Sequence, residues 1–157
     1  MSSNISPSVS ATANNAFGLQ LFKEITRVNP AANTFISPLS ISVALAMTQL
    51  GGRGKTAAEM SATLHWSDGG EQDIHRDYQA YLPLLEQASE FYQLSLANKV
   101  FVEQSLSILP DFVETLKTFY HAGECCVGII SNDIFELFIR DLRNLRSDEN
   151  KHTILII

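Results

Sequence analysis

The sequence predicts a mixed α+β fold, and three patterns in it carry that prediction. Apolar residues recur at helical spacing in separate windows, as Phe17, Leu21, Ile25 and Val28 do, and again Phe112, Leu116 and Phe119. Between those windows the period falls to two, where Leu94, Leu96, Val100 and Val102 alternate with Ser95, Ala97, Lys99 and Phe101. The third pattern is residues 33–52, "NTFISPLSISVALAMTQLGG": a short extended run, then an apolar segment carrying Ser40, Ser42 and Thr48, stopped by Gly51-Gly52. A helix apolar nearly all round is a core helix, so the hydroxyls along it need a reason.

The totals bound the function classes. A chain of 157 residues fits one ordinary domain. Apolar residues make up 45% and charged residues only 18%, so much of the chain is destined for an interior. A net charge of −6 argues against the clustered Lys and Arg that a nucleic-acid footprint needs. Cys125 and Cys126 are adjacent, which suits neither a disulfide framework nor the ligand spacing of a zinc site, and they read as structural thiols. The N-terminal residues have no basic and apolar regions of a signal peptide, and no run approaches the roughly 18 apolar residues of a membrane span. A cytoplasmic protein is therefore expected, with the extracellular space as the alternative, and the glycosylation pattern Asn4-Ile5-Ser6 is discounted.

In chain order, residues 1–11 are Ser-rich and expected to fray. A first amphipathic helix begins near residue 12 and ends at Asn29-Pro30, because the residue before proline is pushed out of the α region. Ser37 is a good N-cap and Pro38 suits the first helical position, whose N–H is unpaired anyway. In the helix they start, Leu39, Val43, Met47 and Leu50 line one face. Gly51-Gly52-Arg53-Gly54 breaks the chain, and Thr56-Ala57-Ala58-Glu59 has the form of a capping box for a short helix to about Leu64. Ile74, Tyr78, Tyr81, Leu82 and Leu85 mark a further amphipathic helix, shortened or kinked by Pro83. The alternating run from Leu94 to Val102 is one long strand, and Pro110-Asp111 leads into the next helix. A second strand is expected over Ala122–Ile129, an amphipathic helix over Asp133–Arg146 and a β-prone run over Thr153–Ile157.

Catalytic constellations do not assemble. Gly54-Lys55-Thr56 invites a phosphate-loop reading, yet Gln49 stands where that motif needs glycine, and a helix precedes it instead of a strand. His75 lies between Asp73 and Asp77, but residues two apart on a helix point to different sides, so a solvated face is expected there. No catalytic, cofactor-binding or metal residue is assigned, and no cofactor is called for.

The words of residues 33–64, "NTFISPLSISVALAMTQLGGRGKTAAEMSATL", resemble the serpin superfamily: the strand, buried helix and short helix near the serpin N-terminus. Phe17 to Val28 resembles the first serpin helix. "LSLANKVFVEQSLSILPDFVETLKTFYHAGE", residues 94–124, resembles a central strand of the large sheet, the next helix and the start of another strand. The resemblance implies an inhibitor of serine, sometimes cysteine, proteases. In that family a reactive-centre loop is cleaved as bait and then inserts into the large sheet as an added strand, carrying the acylated protease with it. It also implies that Ser37 and Ser40 belong to the shutter, the region beneath the sheet where strands part.

The resemblance covers about residues 10–127, so residues 1–127 are expected to be the N-terminal portion of a serpin domain and 128–157 a tail foreign to the family pattern. Such a tail is what a splice variant, read-through or gene-model error produces. By this reading the fold is an incomplete serpin fold, helices plus the first strands of the large sheet, without the reactive-centre loop. The chain is then an inhibitor by descent, inactive as it stands. The alternative is a decoy that pairs its sheet edge with a full-length serpin. Heparin is not expected as a partner, because the helix of Asp73–Glu86 carries Arg76 against Asp73, Asp77 and Glu86. At about 25 cal/mol per Å², a few hundred Å² of uncovered helix forfeits several kcal/mol, so self-association through unpaired sheet edges and marginal stability are expected.

Overall fold

The computed structural model describes residues 9–66, 71–85, 92–96, 100–102, 107–122, 126–127 and 152–156. In order, the elements are α1 (Val9–Val28), α2 (Pro38–Gln49), α3 (Gly54–Thr63), α4 (Glu71–Leu85), β1 (Tyr92–Leu96), β2 (Phe101–Val102), α5 (Pro110–Tyr120), β3 (Cys126–Val127) and β4 (His152–Ile156). The mixed α+β class is therefore present. The chain divides into two compact units, Met1–Ala80 and Tyr81–Ile157, with the division falling inside α4.

The first unit holds α1, α2, α3 and most of α4. The expectation of fraying is corrected for residues 9–11, because α1 begins at Val9 and Ser10 is buried; residues 1–8 lie outside the described residues. The Ser10 backbone N–H donates to Asp77 Oδ2 of α4 at 3.2 Å. That amide sits in the first helical turn, where no intrahelical acceptor exists, and a carboxylate is favoured at that end of the dipole. On α1 the buried residues are Ser10, Ala13, Phe17 and Gly18. The predicted stripe is buried at Phe17 and half-buried at Leu21 and Ile25, and it leaves Val28 78% exposed.

Gly18 explains how α1 meets α2. A Cβ at this position would lie 2.8 Å from Cβ and 2.9 Å from Cγ of Pro38, so only glycine admits the proline ring against the helix. On α2, Val43 and Met47 are buried as expected and Leu39 and Leu50 half-buried, while Ile41, Ala44 and Thr48 are exposed. The helix that reads as apolar all round is thus buried along one side within this unit.

The expected capping box at Thr56 and Glu59 is corrected. The N-cap of α3 is Arg53, which makes no side-chain capping bond, and the helix is already under way at Gly54 (φ +55°). Thr56 therefore stands inside the helix, and Glu59 pairs back to Lys55 at 3.3 Å, the i,i+4 spacing of a helix surface. Arg53 instead serves the end of α2, its guanidinium donating to the carbonyls of Leu50 (3.0 Å) and Gly52 (2.6 Å). Beyond α3, Leu64 and Trp66 are buried on either side of His65, whose φ is +59°.

On α4, Ile74, Tyr78 and Leu82 recur every fourth residue and are buried, and Pro83 stands within the last turn. The solvated face expected at His75 is corrected: that residue is 3% exposed. The two-residue spacing shows only that His75 does not share a face with either aspartate. Which side turns inward is decided by Gln49 and Trp66, both distant in sequence.

In the second unit the expected long strand is described as two pieces, β1 and β2, with residues 97–99 outside the described residues. β1 pairs in parallel with β4, from Tyr92 opposite His152 to Leu96 opposite Ile156. β2 pairs in parallel with β3, Phe101 opposite Cys126 and Val102 opposite Val127. α5 starts at Pro110, buries Leu116 and Tyr120, and ends at His121 in the left-handed region. Within the expected strand Ala122–Ile129, residues 126 and 127 are strand, whereas Ala122 is buried but outside it. The expected helix Asp133–Arg146 and Cys125 lie outside the described residues.

Candidate functional site

Ser37 and Ser40 meet at the corner where the chain turns into α2. Ser37 is extended (φ −111°, ψ 96°), as an N-cap must be, and its carbonyl accepts the Ile41 N–H at 3.2 Å. Its Oγ accepts from the Ser40 N–H at 3.4 Å, and the two hydroxyl oxygens stand 2.8 Å apart. Ser40 is buried and Ser37 half-buried. Proline follows the cap, and its ring lies against Gly18, so the corner is held from both sides.

A second polar layer runs deeper, and the sequence did not single out its members as a group. Ser42 Oγ lies 2.7 Å from Asn14 Oδ1 of α1 and 3.0 Å from the Leu39 carbonyl, and its one proton is shared between these acceptors. The same oxygen accepts the Tyr78 hydroxyl of α4 at 3.3 Å. Near the other end of α2, Gln49 Oε1 accepts from His75 Nε2 at 3.0 Å, and Gln49 Nε2 donates to Ser61 Oγ of α3 at 3.4 Å. A carboxamide oxygen only accepts, so His75 carries its proton on Nε2. The His75 ring stands edge-on to Trp66, with centroids 5.2 Å apart at 87°. Among the described residues no buried side-chain nitrogen or oxygen lacks a partner.

The arrangement positions helices and does not supply a reaction centre. A serine nucleophile needs a base within hydrogen-bond reach, and the side-chain bonds of Ser37 and Ser40 run to each other. The described residues contain no cluster of three His, Cys, Asp or Glu able to hold a metal. A cleft of about 260 Å³ between α2 and α3, lined by Leu45, Thr56, Glu59, Met60, Thr63 and Leu64, is smaller than the roughly 300–1,000 Å³ usual for ligand sites. None of the described helices is long and apolar enough to cross a membrane. Sequence reasoning could find Ser37 because capping is local, whereas Ser40 is reached only through the resemblance to the serpin family. Asn14, Gln49, Tyr78 and His75 carry no such local signal: their partners are 12 to 36 residues away.

Comparison with solved structures identifies the class of fold. The chain is similar to human Thyroxine-binding globulin complexed with thyroxine, with a TM-score of 0.76 and 26% identity over 88% of this chain and 38% of that one. Cleaved Kallistatin complexed with heparin shows the same fold at a TM-score of 0.69, with 23% identity over 87% of this chain and 41% of that one. The family then follows from sequence: the family model Serpin (serine protease inhibitor) matches residues 12–125, and the chain belongs to the serpin family. It is 45% identical to the Leukocyte elastase inhibitor of Bos taurus over 120 residues, which are 76% of this chain and 31% of the relative. It is 41% identical to Serpin B9 of Homo sapiens over 112 residues, 71% of this chain and 29% of the relative. The chain thus spans about 31% of the length of the first of these relatives.

Proposed function

We propose that this chain provides the N-terminal scaffold of a serine-type endopeptidase inhibitor that acts by loop insertion, and that these 157 residues do not inhibit by themselves. The observation that carries this reading is the family match over residues 12–125, joined to relatives named as elastase inhibitors. Residues 1–127 form the serpin portion and residues 128–157 a segment of other origin. Ser37 and Ser40 contribute to the shutter, and the hydroxyl pair at 2.8 Å suits that role. Two hydroxyls that satisfy each other at a helix corner can exchange partners with a moving strand at little cost, because each remains a donor and an acceptor. The partner of the full-length form is a serine or cysteine protease, and neither heparin nor nucleic acid is expected to bind.

The test is a pair of incubations. The 157-residue chain, mixed with elastase, chymotrypsin-like and trypsin-like proteases, is expected to give no SDS-stable complex. A chimera in which residues 12–125 replace the matching segment of the bovine leukocyte elastase inhibitor is expected to trap elastase in such a complex. A folded chimera that is merely cleaved would sink the scaffold reading, and an SDS-stable band from the chain itself would sink the claim of inactivity.

A second reading, a decoy that pairs a sheet edge with a full-length serpin, is favoured by one observation: β1 accepts an extended segment as a parallel partner. Co-purification with a full-length serpin tests it, and a chain that elutes alone counts against it.

A further inference from the structure

The fold leaves the Thr56 hydroxyl without a task. Arg53, and not Thr56, is the N-cap of α3, so the threonine closes no helix end. Later in the same helix, Ser61 and Thr63 donate their hydroxyls to the carbonyls four residues before, those of Ala57 at 2.9 Å and Glu59 at 2.8 Å. For Thr56 the corresponding carbonyl is that of Gly52, which accepts the Arg53 guanidinium at 2.6 Å. The Thr56 side chain forms no hydrogen bond, and the residue is exposed.

The sequence around it is Gly51-Gly52-Arg53-Gly54-Lys55-Thr56, with a guanidinium three residues before the hydroxyl and an ammonium directly before it. Arg53 and Lys55 are both exposed, and the Lys55–Glu59 pair is too open to water to hold the lysine firmly. Gly54, Lys55 and Thr56 form the first turn of α3, whose amides have no acceptor within the helix, so drawing this turn into extended form breaks few bonds. Kinases discriminate among substrates by such charge patterns. Thr26 makes the contrast. Lys23 stands three residues before it, but Glu24 intervenes, and the Thr26 hydroxyl is held against the carbonyls of Phe22 (2.9 Å) and Lys23 (3.2 Å).

We propose that Thr56 is a phosphorylation site, read by a protein kinase with an acidic substrate groove. Thr56 Oγ1 bonds to the γ-phosphorus of ATP as the bond from that phosphorus to the bridging oxygen breaks. The hydroxyl proton passes to the kinase's catalytic carboxylate, and ADP leaves. The phosphate carries about −1.5 to −2 charges at neutral pH. It turns a patch holding Arg53, Lys55 and Glu59 from net positive to net negative. The site stands independently of protease inhibition and of the scaffold reading.

The test incubates the 157-residue chain, at a temperature where its helical circular dichroism is intact, with labelled ATP and the catalytic subunit of cyclic-AMP-dependent protein kinase. The label is mapped by tandem mass spectrometry. It is expected on Thr56 and not on Thr26, at no less than about a tenth of the rate found for a free peptide of residues 49–62. Arg53→Gln is expected to lower the rate at least about tenfold through loss of a charge-assisted contact. If that variant loses its helical circular dichroism, the same substitution in the peptide decides, since the peptide needs no fold. A peptide that is labelled while the chain stays bare overturns the proposal, because the fold then withholds the site. Label on neither, label only at other residues, or an Arg53→Gln rate equal to the parent's overturns it as well.

Discussion

Ser42 is where a single atom ties three helices together. Its hydroxyl serves Asn14 of α1 and accepts from Tyr78 of α4, while its own backbone lies in α2. Ser42→Ala removes the acceptor of the Tyr78 hydroxyl and the donor to Asn14 Oδ1 together, and losing such bonds at a buried serine costs about 1–3 kcal/mol. Tyr78→Phe removes a donor and leaves Ser42 with other bonds, so about 0.5–1.5 kcal/mol is expected. The ranking, Ser42→Ala worse than Tyr78→Phe, is read from the shift in urea midpoint. Gly18→Ala is a steric counterpart: its methyl meets a proline ring that has no free rotamer to yield, and overpacking of this kind costs about 1–3 kcal/mol. A midpoint unchanged by Gly18→Ala would show that α1 and α2 sit further apart than described. None of these residues stands out in the sequence as a partner of another. Ser37 does, because the cap, the proline and the helix it starts are consecutive.

At the scale of elements, the sequence pattern located the starts of α2 and α5 correctly and missed those of α1 and α3. α1 extends to Val9 because a carboxylate from α4 satisfies its first turn, and no residue near Val9 announces that. The capping-box pattern at Thr56 failed for a related reason. A helix start needs extended backbone at the cap, and that geometry falls at Arg53, within the glycine-rich break. The consequence is measurable. Thr56→Ala is expected to shift stability by less than about 0.5 kcal/mol, whereas loss of a true N-cap such as Ser37→Ala costs about 1 kcal/mol. Comparable losses from the two variants would restore the capping box. The Lys55–Glu59 pair does not blur the comparison, since both side chains are mostly exposed and such pairs contribute little. Strand positions were readable from their alternation and branched residues. Their partners were not, because parallel pairing of β1 with β4 joins segments sixty residues apart in register, Tyr92 with His152.

For the whole molecule, the family was legible in the words of residues 33–64 and the extent of burial was not. Leu19, Phe22, Val28, Phe35 and Ile41 of the first unit are exposed, Phe35 completely. Burying a Leu, Ile or Phe side chain contributes about 1.5–3 kcal/mol relative to leaving it in water. Several such residues left wet therefore forfeit an amount comparable with the 5–15 kcal/mol that holds a typical domain together. The relatives carry about three times as much chain as aligns here, and the exposed side of α2 has the composition of a surface meant for cover. The 157-residue chain is accordingly expected to melt over a broad range and to elute partly as oligomers. The chimera described above, which returns residues 12–125 to a complete serpin, is expected to melt sharply as a monomer. Calorimetry with light scattering decides the matter. A sharp, cooperative transition from a monomeric 157-residue chain would show that its two units bury enough by themselves, and that the apolar residues on α1 and α2 need no further cover.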